Sequence, residues 1–290
     1  MSEVYRGSWR LSDSVKRGSR WTDSYPSREE EKDELERLLS FAKNEGQWNR
    51  YFGPIRGPNK QRNGALAELR VALYLKVNGF PVVAWSPVGA GGRQGEFVVE
   101  GSAKQRVFVE VKGPEWQSEV PEDERKAGRS RQPKYVDMEC RSIPPRWEAI
   151  QFAIAKAYEK LRDNIPNLLV VADDLFVSLE HETDFEAEEA LYSDCPTNPG
   201  YISDRRYEKL GGVGVFWVNR GSIWESEHKR GRLNYQMRLH LNPNALSSTA
   251  LPPDVHRAFR DEPIEPKGPF LVGPEPSPLE KYVANPSEWK

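Results

Sequence analysis

The chain has 290 residues, of which 37% are hydrophobic and 30% charged, with a formal net charge of -2. That length can bury a core in one domain with appendages. The near-neutral charge excludes a polybasic coat for nucleic acid or membrane, so any nucleic-acid surface has to be a local patch. The longest apolar runs, such as Leu168 to Ala172, are five residues, against the roughly 20 needed to span a bilayer. The opening MSEVYRGSWR lacks the apolar stretch of a secretory signal. Cys140 and Cys195 are too few for a disulfide framework or a four-thiolate zinc site, and the four histidines show no zinc spacing. The expectation is a soluble, cytoplasmic protein in a reducing compartment, without a membrane partner.

Residues 1–27 are polar and aperiodic and read as a poorly ordered segment. Ser27 with Glu30 forms a capping-box pattern, and Leu35, Leu38, Leu39 and Ala42 recur at helical spacing behind it. A helix is expected over 28–45, ended by Gly46. Residues 50–59, rich in proline and glycine, read as a connector. A second helix is expected over 60–78, then strands at 81–86, 95–100 and 106–112. Gly101 to Gln105 closes the last two strands into a hairpin. A long polar insertion fills 113–146. A helix at 147–162 and a buried strand at 167–172 follow, with further strand candidates at 213–218 and 235–241. Ten prolines fall between Pro243 and Lys290, so 243–290 reads as a tail without lasting regular structure. One domain is expected over 28–242. The helix at 147–162 is long enough for a crossover to a parallel strand, which argues for an α/β fold on a mixed sheet.

The segment 106–112 carries Glu110-Val111-Lys112. Strand alternation puts Val107, Val109 and Val111 on one face, and Phe108, Glu110 and Lys112 on the other. The bare spacing is uninformative, since the chain holds six Asp/Glu-x-Lys triplets. The surroundings distinguish this copy. Glu96 starts the preceding strand after a Gly-rich turn, and hairpin pairing brings it close to Glu110. Two carboxylates side by side repel, and a divalent cation relieves the repulsion; Mg²⁺ suits a couple of carboxylates plus waters. Lys112 can orient a metal-bound water or stabilise developing phosphate charge. Glu68, on the helix before the strands, has small or apolar neighbours at helical spacing (Gly64, Val71, Ala72, Leu75). A carboxylate there needs a polar partner.

This arrangement resembles the PD-(D/E)xK nuclease superfamily, with its restriction-endonuclease-like αβββαβ core. The likeness covers 60–175, with an N-terminal helix before it and a C-terminal strand extension after it. The resemblance implies that Glu96, Glu110 and the carbonyl of Val111 hold Mg²⁺, with Mn²⁺ as an alternative ion. It implies that Lys112 positions the attacking water, that Glu68 holds a second ion or a water, and that Gln151, on the crossover helix, lies near the site. The activity implied is metal-dependent phosphodiester hydrolysis, on DNA ahead of RNA, in restriction, defence or repair.

Two other features bear on nucleic acid. Arg125, Lys126, Arg129, Arg131 and Lys134 fall within ten residues of the insertion and form the best local basic patch. The turn VGAGGRQG lacks the Walker Lys-Ser/Thr and precedes a strand, which argues against a phosphate loop. In the nuclease reading it is a flexible lip, and Arg93 meets a phosphate. Glu in place of Asp at 96, with the overall acidity, supports an alternative: a catalytically inactive module on the same fold that binds nucleic acid or a protein partner. A homodimer is left open.

Overall fold

The computed structural model describes residues 11–16, 29–113, 146–173, 187–192, 194–195, 198–202, 207–219 and 234–255. The elements are α1 (Leu11–Lys16), α2 (Glu29–Asn44), α3 (Trp48–Arg56), α4 (Asn59–Val77), β1 (Val82–Trp85), β2 (Phe97–Glu100), β3 (Arg106–Lys112), α5 (Arg146–Tyr158), β4 (Asn167–Asp173), β5 (Asp194–Cys195), β6 (Asn198–Pro199), β7 (Gly212–Asn219) and β8 (Asn234–Leu241). Among the described residues the stretch from α4 to β4 follows the expected order of helix, three strands, helix, strand. A six-stranded sheet runs β1-β2-β3-β4-β7-β8. The first three strands form the antiparallel meander, β4 lies parallel between β3 and β7, and β8 returns antiparallel. The chain is therefore α/β with a mixed open sheet. No helix among the described residues is long and apolar enough to cross a membrane.

Alternation along the strands divides the core in two. Val107, Val109 and Val111 of β3, with Leu168, Val170 and Ala172 of β4, pack on one face against Leu66, Leu69 and Leu75 of α4 and the buried leucines of α2. Phe108, Leu169 and Val171 face the other way, onto Ile150, Ile154 and Ala157 of α5 and Leu191 of a helical stretch at 187–192. Burial on both faces explains why β4 reads as a continuous apolar run, as a central parallel strand should. The turn from α4 into β1 needs a positive φ, and Gly79 supplies it at +92°.

Three segments differ from the sequence expectation. Residues 48–56 are a helix rather than part of a connector. Tyr51 and Ile55, one turn apart, are buried, and Trp48 stacks on Phe52 at 4.7 Å. That apolar pattern outweighs Pro54, whose missing N–H costs one hydrogen bond late in a short helix. Within the first 27 residues, α1 docks on α2: Val15 is in the core, and the Leu11 and Ser12 N–H groups donate to Glu36 at 3.1 and 2.9 Å. Residues 243–255 pack rather than trail. Leu251 and Val255 are in the first core, and the Thr249 carbonyl accepts the N–H of Asn167 at 3.2 Å. Proline forbids a helix there but not burial. The Ser27–Glu30 cap and most of the polar insertion fall outside the described residues.

Candidate active site

The β2–β3 register pairs Phe97 with Val109 and Val98 with Phe108. Glu96, at a bend one residue before β2, and Glu110, one residue beyond Val109, follow directly on that terminal pair; Glu96 therefore lies just outside the strand that the sequence pattern has it start. Glu110 and Lys112 share the face of Phe108, toward α5. The Phe108 N–H bonds Pro166 O on the β4 side. By alternation the backbone N–H and C=O of Val111 point to the β2 side, beyond the last paired residue of β2.

Lys112 Nζ donates to Glu110 Oε1 and stands 3.9 Å from Glu96 Oε1. A second lysine, Lys160, donates to the same Glu110 Oε1 at 2.5 Å and lies 3.6 Å from Glu96 Oε1. The other Glu96 oxygen, Oε2, accepts from Arg50 Nη2 at 2.7 Å. That same nitrogen reaches Glu68 Oε2 at 3.1 Å, and Tyr51 OH donates to Glu68 Oε2 at 3.0 Å. Arg50 Nη1 also donates to Ser86 Oγ. Ser86 has a φ of +50°, a costly conformation for a residue with a side chain. Glu68, Glu96, Glu110 and Lys112 thus converge, joined by Arg50, Tyr51 and Lys160.

Packing explains how α3 delivers its two residues. Trp85 at the end of β1 meets Tyr51 edge-on at 5.9 Å and Phe97 of β2 at 5.5 Å. This aromatic column fixes Tyr51, and so its neighbour Arg50, against the start of β2.

The electrostatics follow from burial. Glu110 is fully buried and Glu96 largely so. Desolvation is the main cause raising both carboxyl pKa values above the ordinary range; Glu68 adds to the rise at Glu96, and Glu96 to that at Glu110, while the nearby lysines oppose it. Burial would lower the pKa of Lys160, but the hydrogen bond and charge of Glu110, helped by Glu96, leave it raised. The Tyr51 hydroxyl is pushed up by burial and by Glu68, so it stays protonated and donates. Three carboxylates face three cations.

The residues fit a hard, oxygen-seeking divalent cation in one specific way. Glu110 Oε2 is buried without a hydrogen-bond partner, while Oε1 carries both lysines. An unpartnered carboxylate oxygen beside a second carboxylate is the donor chemistry Mg²⁺ or Mn²⁺ takes, with water completing the shell. Among the described residues no group of three or more His, Cys, Asp or Glu is placed to hold an ion; Glu68 Oε2 is taken by Arg50 and Tyr51 instead.

Other expected site residues lie elsewhere. Gln151 is not in the cluster: it is buried on the flank of α5, and its Nε2 donates to Ala190 O at 3.3 Å. Arg93 is exposed and pairs with Glu159. The Gly-rich turn is a folded loop, closed by a Val88–Gln94 bridge and by Gly89 N–H to Arg93 O at 2.6 Å. Arg125, Lys126, Arg129, Arg131 and Lys134 lie outside the described residues. Sequence reasoning missed Arg50, Tyr51 and Lys160. The first two sat in a segment read as a connector, and Lys160 is one surface-type lysine among many. The buried i,i+4 pair Tyr51–Ile55 was the available signal for α3. No family model, curated protein or solved structure matches this chain.

Proposed function

We propose that the chain is a metal-dependent nuclease of the PD-(D/E)xK kind, with a restriction-endonuclease-like core, hydrolysing phosphodiester bonds in DNA ahead of RNA. The observation that carries the reading is the convergence of Glu96, Glu110 and Lys112 across the β2–β3 register, with Glu110 Oε2 left unpartnered. Glu110 and Glu96, with the Val111 carbonyl, would hold Mg²⁺ or Mn²⁺. When bound, the ion supplies positive charge that acidifies a water and offsets the charge of the phosphate.

The remaining work falls to the chain's own groups. Hydrolysis forms one P–O bond to water and breaks one to a sugar oxygen; the water loses a proton and the leaving oxygen gains one. Lys112, an ammonium beside both carboxylates, orients the attacking water. Arg50 fixes Glu96 through Oε2, leaving Oε1 toward the lysines. Tyr51 and Glu68 fix Arg50. Preorganisation of this sort lets charged groups act without rearranging during the reaction.

The test is cleavage of plasmid, linear duplex, single-stranded DNA and RNA with Mg²⁺, Mn²⁺ or EDTA, with Lys112→Ala beside the native protein. The expected result is metal-dependent loss of a DNA band, absent in the variant. One observation favours a second reading: Arg50, Lys112 and Lys160 balance the three carboxylates one for one, so the cluster is electrically closed by its own side chains. A non-catalytic module would bind nucleic acid or a protein partner and cleave nothing in any lane.

A further inference from the structure

Lys160 occupies a position that charge balance alone does not explain. It hydrogen-bonds Glu110 Oε1, the oxygen that already accepts from Lys112, while Glu110 Oε2 is buried without a partner. A lysine present only to neutralise a buried carboxylate gains most by satisfying the bare oxygen, because an unmade hydrogen bond is costly. Here two like charges are instead crowded onto one oxygen. The result is a pair of ammonium groups side by side, in front of two carboxylates, with Lys160 still 21% exposed.

The backbone is built to keep it there. Lys160 lies just past α5, where its N–H bonds Ala157 O at 2.9 Å and the next residue, Leu161, is fully buried. Its carbonyl accepts the N–H of Ala90 at 2.9 Å, from the Gly-rich loop. A Cβ on Gly89 would sit 2.5 Å from that carbonyl oxygen, so the loop backbone can approach only because residue 89 has no side chain. The loop that precedes Glu96 thus clamps the carrier of the second lysine. One short segment positions Glu96 and Lys160 together.

We infer that Lys160 is a second catalytic lysine, which contacts a non-bridging oxygen of the scissile phosphate and stabilises the charge that builds there, while the loop residues Gly89 and Ala90 fix its place. The inference rests on the nuclease reading and assigns a phosphate contact to a residue outside the Glu-x-Lys motif. Two ammonium groups then divide the work: Lys112 on the water, Lys160 on the phosphate.

The experiment compares native protein, Lys160→Gln and Lys160→Arg. It measures kcat and KM on a DNA substrate with Mg²⁺, and the affinity for Mn²⁺ alone by calorimetry. The expected result is a kcat about 10²-fold lower in Lys160→Gln, with part of the loss restored in Lys160→Arg, and with Mn²⁺ affinity equal or tighter because one competing cation is gone. An unchanged kcat overturns the inference and leaves the nuclease reading standing. A kcat loss matched by an equal loss of Mn²⁺ affinity also overturns it, since Lys160 would then only be holding Glu110. No cleavage by the native protein with either ion overturns both readings.

Discussion

Two buried carboxylates are treated in opposite ways. Glu34 of α2 is fully satisfied: Arg70 binds it with Nε to Oε1 at 2.8 Å and Nη2 to Oε2 at 2.9 Å, and Tyr235 OH of β8 adds a bond to Oε1 at 2.7 Å. The pair is almost wholly buried and ties α2, α4 and β8 together. Glu110 is just as buried, yet both its lysines share one oxygen and the other has none. The Arg70 fork gives a closed, two-point lock. The lysines give an unbalanced arrangement that keeps a donor atom free. Two positions along α4 from Arg70, Glu68 turns to the second arrangement through Arg50. The first arrangement closes on itself; the second leaves one buried carboxylate oxygen without a hydrogen-bond partner.

The sharpest way to break this comparison is to truncate one cation in each region. Lys112→Ala is expected to lower cleavage about 10³-fold with only a minor fall in unfolding midpoint, read by single-turnover kinetics and thermal melts. Arg70→Met, which removes the guanidinium forked onto the buried Glu34 carboxylate, is expected to cost about 3–5 kcal/mol of stability, seen in urea unfolding, while the folded fraction keeps its turnover. If the two variants exchanged these outcomes, the assignment of roles would be reversed.

A smaller effect is expected where the two kinds of role meet. Arg50 bridges Glu68 and Glu96 and is assigned an orienting role. Arg50→Gln is expected to weaken Mn²⁺ affinity or activity about 10- to 100-fold, the usual cost of removing a group that orients ligands. Calorimetry against Mn²⁺ reads the first quantity and initial rates the second.

The smallest expected effect is a displacement along the pH axis. Burial first, and neighbouring carboxylates second, hold Glu96 and Glu110 above the ordinary glutamate pKa, which is about 4.3. Their folded pKa values exceed the unfolded ones. Their contribution to stability is therefore full below the ordinary pKa and is lost as pH rises through the raised values. In the proposed nuclease, activity runs in the opposite sense, since both groups would have to be ionised to hold the ion. The acid limb of kcat/KM against pH is expected above the ordinary glutamate range. Lys160→Met is expected to move it higher still, because Lys160 lowers both carboxyl pKa values.

Much of this was legible in the sequence, for physical reasons. Strand periodicity put Glu110 and Lys112 on one face, and a five-residue hairpin connection fixed the register that brings Glu96 close to them. The apolar run at 168–172 marked a strand buried on both faces. The illegible parts were of two kinds. At 48–56 the local signals of Gly53 and Pro54 pointed to a connector, while burial of Tyr51 and Ile55, a tertiary effect, made a helix; with it went Arg50. Lys160 depends on backbone contact between a Gly-rich loop and the end of α5, residues far apart in sequence, which no local pattern encodes. The partner of Gln151 was illegible for a similar reason: helix position alone did not reveal that Ala190 O would take its amide.

The most direct test of the contrast between the two carboxylates is a calorimetric titration of Mn²⁺ into native protein, Glu110→Gln and Tyr235→Phe. Binding in the native protein and in Tyr235→Phe, lost in Glu110→Gln, is the predicted result. Equal binding in all three, or none in the native protein, would contradict the account.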